Sequence, residues 1–229
     1  MTAHPPGSED IVSSYRGLRR SVGAIGLLLP FWLIVAGLGW LGGIRPSISA
    51  YYYAPFSGGV FVGALSAIGV FLISYRGYVP EAGERLSDRH LALAAGTAAI
   101  LVALFPTDGF VGQTALVAPV SVLHFIAAAV FLSLLGVFSL YRFTRSDLPP
   151  DQQPPDKRLR NRIYRKCGRV IFACLGLIAL FKLLEWRGLY SPPLSSWMFW
   201  LESIAVWAFG ISWLVKGEVL EAIGPRLRG

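Results

Sequence analysis

Two ionisable side chains interrupt long apolar segments of the sequence. His124 lies within the apolar run 116–141, and Glu202 lies within the run 196–215. An ionisable group inside a bilayer costs roughly 2.5 to 3.5 kcal/mol on insertion scales, so such residues are candidates for function. At about 1.5 Å per helical residue, both lie at nearly the same depth from one end of their segments. We therefore expect a coupled His124–Glu202 pair, with a purely structural ion pair as the alternative.

Further polar residues flank the same ends of these segments. They are Ser47, Ser49, Tyr51 and Tyr52 in the first loop, and Asp108 after the third apolar run. Serine and aspartate supply hydrogen-bonding groups, whereas tyrosines suit the headgroup level of a membrane. Together with His124 and Glu202 they predict a polar pocket open to the outer face, which binds or transports a small molecule, an ion or a lipid headgroup. For the tyrosines, a simple aromatic belt is the alternative.

The same residues also allow an intramembrane lipid hydrolase. Ser47 or Ser49 would be the nucleophile, His124 the base and Asp108 the group that orients the base. This reading requires a serine oxygen within hydrogen-bonding distance of the imidazole. A structural or assembly subunit without a ligand is the third possibility, so the sequence leaves open whether the protein is an enzyme.

The sequence lacks the residues that several classes of chemistry require. The sequence contains no P-loop, no His-Glu-x-x-His, no Cys-x-x-Cys and no Gly-x-Ser-x-Gly motif, and it has only three histidines. We therefore expect no metal and no cofactor. Gly37-Leu-Gly-Trp-Leu-Gly42 matches a dinucleotide-binding pattern, but no strand precedes it, so that pattern has no meaning here. Cys167 and Cys174 are expected to be free, packed thiols.

The composition indicates which elements must position these residues. Of 229 residues, 54% are hydrophobic and only 15% are charged, with a mean hydropathy of +0.56. This composition is typical of a polytopic membrane protein, because roughly a quarter of the residues in a soluble chain are charged. About 20 apolar residues are needed to cross a bilayer as a helix. An all-α bundle of six transmembrane helices is predicted, at about 22–44, 57–75, 91–106, 116–141, 167–184 and 196–215.

The positive charges predict the orientation. Alternate loops hold 18 of the 21 Lys and Arg residues, and positive residues are retained in the cytoplasm. Both ends, the segment 1–21 and the tail 218–229, are therefore expected to be cytoplasmic, as is the Pro-rich and basic loop 143–166. The net charge of +8 is then a topology signal, and no nucleic-acid partner is expected.

The end of that loop is a dense basic cluster. Its members are Lys157, Arg158, Arg160, Arg162, Arg165 and Lys166. Such a cluster beside the cytoplasmic leaflet attracts anionic lipids at roughly 1 kcal/mol per charge. It is predicted to contact lipid, with simple positive-inside retention as the alternative.

Small residues at helical spacing predict close helix packing. Gly59 and Gly63 are four residues apart in the second apolar run, and Ala95, Ala99 and Ala103 repeat the same spacing in the third. Small side chains on one face let two helix backbones approach each other.

Short motifs also carry a resemblance. Ser47-Ile-Ser49, Phe105-Pro-Thr-Asp108 and the histidine of the fourth helix make residues 15–217 similar to a broad group of bacterial six-helix membrane proteins classed as domains of unknown function. The resemblance implies the six-helix fold and a bacterial inner-membrane location, and it implies no activity. A more distant likeness is to the seven-helix membrane hydrolases that include alkaline ceramidases. This chain departs from them by one helix fewer and by lacking a His-x-x-x-His motif.

Overall fold

The fold is helical throughout the part of the chain that can be described. The computed structural model describes residues 8–77, 87–107, 117–146, 148–149, 151–191 and 195–217, and it contains no strand within them. The helices are α1 (Ser8–Gly39), α2 (Ser57–Ser74), α3 (Asp88–Leu104), α4 (Val117–Val137), α5 (Pro155–Trp186) and α6 (Trp197–Lys216). A 3₁₀ turn (Ser49–Tyr53) precedes α2, and a π-helical turn (Phe138–Arg142) follows α4.

Five of these helices are long and apolar enough to cross a membrane, namely α1, α2, α4, α5 and α6. The expected all-α, multi-pass architecture is confirmed at this level. The remaining helix, α3, has 17 residues, which is at the lower limit of roughly 17 for a crossing. Six crossings with cytoplasmic ends stay a prediction.

Two helices extend well beyond their apolar runs. α1 begins at Ser8 rather than near residue 22, and α5 begins at Pro155 rather than near 167. Hydropathy marks only the apolar part of a helix, whereas the hydrogen-bonded backbone continues into polar sequence. Pro155 favours a helix start because its fixed φ suits the first helical position, where no N–H partner is needed. The basic cluster is therefore the first turns of α5.

The helices form a closed ring in chain order. Each helix packs against its neighbours in the chain, and α6 packs against α1. At one end of the ring, the Arg20 Nε donates to the Gly217 carbonyl at 2.8 Å, and Asp88 pairs with Arg142. We call this the basic end. The opposite end, where α1 leads into α2, is called the cap end.

Paired glycines bring neighbouring helices together. A Cβ on Gly69 of α2 would lie 2.9 Å from the carbonyl oxygen of Gly96 in α3. Between α1 and α6, a Cβ on Gly23 would lie 2.8 Å from the Gly210 oxygen, and the reverse distance is the same. These separations are shorter than real Cβ contacts, so only glycine allows the observed backbone approach.

The predicted packing faces are therefore partly wrong. Gly59 and Gly63 face away from the neighbouring helices, because a Cβ on either would meet no atom of the described residues within 4 Å. Ala95, Ala99 and Ala103 of α3 are buried as expected. The spacing of small residues identifies a common face, but only the neighbouring helix decides which face is buried.

Candidate functional site

The predicted outer residues meet at the cap end, around residues 45–53. We call this segment the cap loop. It is tied to α6 by a backbone hydrogen bond from the Phe199 N–H to the Pro46 carbonyl at 2.9 Å. Tyr51 is fully buried and its ring packs on Phe199 at 5.8 Å between centroids. Gly37 of α1 makes room for this ring, because a Cβ there would lie 2.7 Å from the Tyr51 hydroxyl oxygen.

His124 holds the cap loop to α3 and α4. Its Nδ1 lies 2.6 Å from the carbonyl oxygen of Phe105, and its Nε2 lies 2.8 Å from the hydroxyl of Ser49. A carbonyl oxygen only accepts, so the hydrogen bond at 2.6 Å assigns the proton to Nδ1 of the neutral ring. In this tautomer, Nε2 accepts a hydrogen bond from the Ser49 hydroxyl. Both side chains are buried, with 2% of His124 and 8% of Ser49 exposed.

Glu202 holds Ile48, the residue of the cap loop that precedes Ser49. Its Oε2 accepts the backbone N–H of Ile48 at 2.6 Å. A hydrogen bond to a carboxyl oxygen is worth about 0.5 to 1.5 kcal/mol when the acceptor is neutral and about 1.5 to 3 kcal/mol when it is ionised. α6 therefore contributes both a side-chain tether and a backbone tether to the same loop.

The expected direct pair between His124 and Glu202 does not form in the described structure. Each side chain binds the cap loop instead, His124 at Ser49 and Glu202 at Ile48. Their matched depth brings them to adjacent residues of one loop, but the loop backbone takes the place of the ion-pair partner. Nothing in side-chain spacing shows that a backbone N–H would lie between them.

The other predicted pocket residues also bond within the protein. The Ser47 hydroxyl accepts the Ala50 N–H at 3.0 Å, and the Tyr51 hydroxyl accepts the Arg45 N–H at 3.4 Å. Burial raises the pKa of Tyr51 above its ordinary value, although the Arg45 contacts lower it in part. Tyr51 is thus not part of an exposed aromatic belt.

Tyr52 and Asp108 are the two remaining residues of the predicted pocket. The Tyr52 ring packs edge-on against Tyr53 and Phe61, at 5.0 and 6.5 Å between centroids. Asp108 lies outside the described residues. Sequence analysis missed the carbonyl of Phe105 and the N–H of Ile48, because backbone groups carry no residue-type signal.

A separate site lies at the basic end, along one face of α5. It is a groove of about 360 Å³, which we call the basic groove, and it is lined by Gln153, Arg158, Asn161, Arg162, Arg165, Lys166 and Arg169. Positions 158, 162, 165 and 169 follow helical spacing and share one face. None of the five cationic side chains has an ion-pair partner within the described residues.

The predicted basic cluster divides between two roles. Arg158, Arg162, Arg165 and Lys166 line the basic groove, as does Arg169, which the cluster did not include. Lys157 instead donates to the carbonyl of Arg145 at 2.7 Å, beyond the end of the π-helical turn. Arg160 does not line the groove. These residues are close together in the sequence, and only the packing of α5 against its neighbours shows which of them line the groove.

The groove is anchored by the buried face of the same helix. Asn161 is 3% exposed, and its Nδ2 donates to the Gln153 Oε1 at 2.9 Å. The Gln153 Nε2 donates in turn to the Leu148 carbonyl at 3.0 Å, and the Tyr164 ring packs on Phe143 at 5.4 Å. The start of α5 is therefore held to the preceding loop and to the end of the π-helical turn, which fixes the cationic face.

The described residues contain no group of three His, Cys, Asp or Glu side chains suited to a metal ion, and Cys167 and Cys174 are free and buried as expected. Comparison of the chain with protein-family models, with curated proteins and with solved structures finds no match. The resemblance inferred from short motifs stays a prediction, and function has to be inferred from the residues themselves.

Proposed function

We propose that this protein is a multi-pass bacterial inner-membrane protein that binds anionic lipid headgroups through the basic groove on the cytoplasmic side. In this proposal, all six helices cross the membrane and the basic end faces the cytoplasm, in keeping with the positive-inside distribution of Lys and Arg. The observation that carries it is a groove with five cationic side chains and no acidic residue among the described residues of its lining.

The spacing of the charges supports a ligand rather than chance retention. Arg158, Arg162, Arg165 and Arg169 are separated by three or four residues along α5. Like charges at this spacing destabilise a helix by about 0.2 to 0.5 kcal/mol per pair. Arg158 also lies at the first turn of α5, where the positive end of the helix dipole adds to the repulsion. An anion in the groove would relieve both effects.

The size of the groove supports a headgroup-sized ligand. Sites for small molecules commonly have volumes of about 300 to 1,000 Å³, and the groove has about 360 Å³. Guanidinium groups match phosphate oxygens in geometry and remain charged at every physiological pH. A phosphodiester headgroup in the inner leaflet therefore fits the charge and the volume.

Lipid titration of the purified protein tests this proposal. The protein would be placed in phosphatidylcholine nanodiscs that contain increasing fractions of phosphatidylglycerol. Native mass spectrometry would then measure how much phosphatidylglycerol stays bound to the protein. The double variant Arg162→Gln/Arg165→Gln should bind phosphatidylglycerol roughly thirty-fold more weakly, since each surface charge is worth about 1 kcal/mol.

A matched control separates the groove from general surface charge. The double variant Arg89→Gln/Arg160→Gln removes two charges from residues that do not line the groove. It should retain most of the affinity for phosphatidylglycerol. Equal losses in both double variants would show that binding follows total charge, and the groove would not be a site.

A lipid hydrolase is a second candidate, and one observation favours it. The Ser49 hydroxyl and the His124 Nε2 are 2.8 Å apart, and the Phe105 carbonyl orients the ring. In such a reaction, the Ser49 oxygen would attack an acyl ester carbonyl while His124 takes the hydroxyl proton and passes it to the leaving alcohol. Water would then release the acid and restore the serine.

An active-site probe distinguishes this candidate from a structural hydrogen bond. A fluorophosphonate should label the purified protein, and Ser49→Ala should abolish the label. Ser47→Ala is the matched control, because Ser47 is two residues away in the cap loop and bonds to a backbone N–H. Labelling that survives Ser49→Ala, or no labelling at all, would exclude the hydrolase.

A further inference from the structure

A small cavity at the basic end lies between α1, α2 and α6, apart from the basic groove. It has a volume of about 20 Å³ and is lined by residues that include Arg19 of α1, Tyr75 at the end of α2 and Trp213 of α6. A cavity needs roughly 10 to 15 Å³ to hold one water molecule. The cavity is therefore large enough for one water molecule or for one oxygen atom of a larger group.

Two N–H groups of the lining residues have no acceptor in the described structure. They are the Arg19 Nε and the Trp213 Nε1, and both atoms are buried. Only 2% of Trp213 is exposed. By contrast, the Trp207 Nε1 on the same helix donates to the Leu27 carbonyl at 3.1 Å. Unpaired buried donors destabilise a protein, and both Arg19 and Trp213 line this cavity, so an acceptor that enters it could satisfy their N–H groups.

The charge of the cavity selects the kind of acceptor. The Arg19 guanidinium lies over the Tyr75 ring at 5.6 Å, and no carboxylate lines the described cavity. A neutral water could accept both N–H groups but would not pair with the positive charge of the guanidinium. An anionic oxygen satisfies both donors and the charge.

We propose that this cavity is an anion site, in which the Arg19 Nε and the Trp213 Nε1 bind one oxygen of a phosphate group. The rest of the group stays outside, because the cavity holds only one oxygen. Leu18, which also lines the cavity, is 41% exposed and offers an apolar surface beside the entrance. The oxygen can belong to a lipid phosphodiester or to free inorganic phosphate, which share this chemistry.

Thermal unfolding of the full chain in a neutral detergent tests the site. Inorganic phosphate, phosphatidylglycerol and phosphatidylcholine would be titrated separately, since a ligand that binds only the folded state raises Tm. We expect Trp213→Phe to weaken the apparent affinity for the bound species roughly ten-fold or more, because it removes one N–H to a charged acceptor. Arg19→Gln, which keeps Trp213 and removes the charge of the guanidinium, should have the same direction of effect.

Trp207→Phe is the matched control for Trp213→Phe. Without added ligand, both replacements should lower Tm, Trp207→Phe because it breaks a hydrogen bond and Trp213→Phe because it leaves space beside the rings of Tyr75 and Phe143. With ligand, only Trp213→Phe should reduce the rise in Tm. The same comparison in the Arg162→Gln/Arg165→Gln background removes any contribution from the basic groove.

The three titrations distinguish the outcomes. A Trp213-dependent rise with a phospholipid but not with inorganic phosphate identifies a lipid phosphodiester as the ligand. The same rise with inorganic phosphate identifies a free anion. If no titration depends on Trp213 or Arg19, the cavity holds water only and the proposal is wrong.

Discussion

Replacement of Glu202 by leucine should release the cap loop from α6. The substitution removes the carboxylate that accepts the Ile48 N–H at 2.6 Å. A hydrogen bond is worth about 0.5 to 1.5 kcal/mol, and a buried N–H that loses its acceptor costs about 1 to 3 kcal/mol. We therefore expect a loss of about 2 to 3 kcal/mol in the free energy of unfolding. Glu202→Gln, which keeps a neutral acceptor, should cost about 1 kcal/mol.

The double replacement with His124→Leu distinguishes a tethered loop from a direct ion pair. His124→Leu loses the bonds to Ser49 and Phe105 and should cost about 2 to 4 kcal/mol by itself. If both residues tether the loop independently, the double variant must be less stable than either single variant. If they formed an ion pair, removing the second charge would recover stability.

Hydrogen exchange and unfolding together provide the assay. In Glu202→Leu, the backbone amide of Ile48 should exchange faster, while the amides in the middle of α6 keep their protection. Chemical unfolding in detergent would rank the four proteins of the cycle. Two results would show that Glu202 and His124 do not tether the cap loop independently. One is a double variant that is more stable than the less stable of the two single variants, and the other is an unchanged exchange rate at Ile48.

Three further predictions concern the packing and the orientation of the bundle. Gly69→Leu should destabilise the protein by about 3 kcal/mol or more in chemical unfolding, because its Cβ would collide with the neighbouring backbone. Arg142→Met should cost at most about 3 to 5 kcal/mol, because it removes the ion pair between Arg142 and the carboxylate of Asp88, which is only 1% exposed. In a cysteine-free background, a cysteine at Ala50 should react with an impermeant thiol reagent in intact cells, and one at Gln152 should not.

Each of these predictions has a control or a contrary result. Gly59→Leu in the same helix should be tolerated, because a Cβ there meets no atom within 4 Å. The double variant Arg142→Met/Asp88→Leu should recover part of the stability lost in Arg142→Met, and a further loss would contradict the ion-pair explanation. Labelling at Gln152 alone would reverse the proposed orientation.

The location of the apolar helices could be predicted from the sequence, because hydrophobic length and charge distribution are local properties. The six predicted runs correspond to the six α-helices of the described residues. The ends of α1 and α5 could not be predicted this way, because hydropathy does not follow a helix into water. The Gly69–Gly96 approach likewise depends on which faces of α2 and α3 meet.

The residue types of the candidate sites were determined by the sequence, and their partners by the tertiary structure. His124, Glu202 and Ser49 were recognisable because polar groups are rare near a membrane interior. Their bonds could not be predicted, because Glu202 binds a backbone N–H that comes from 154 positions away in the chain. Residue type and spacing specify what a side chain can bind; only the folded chain brings a distant backbone group within 2.6 Å of it.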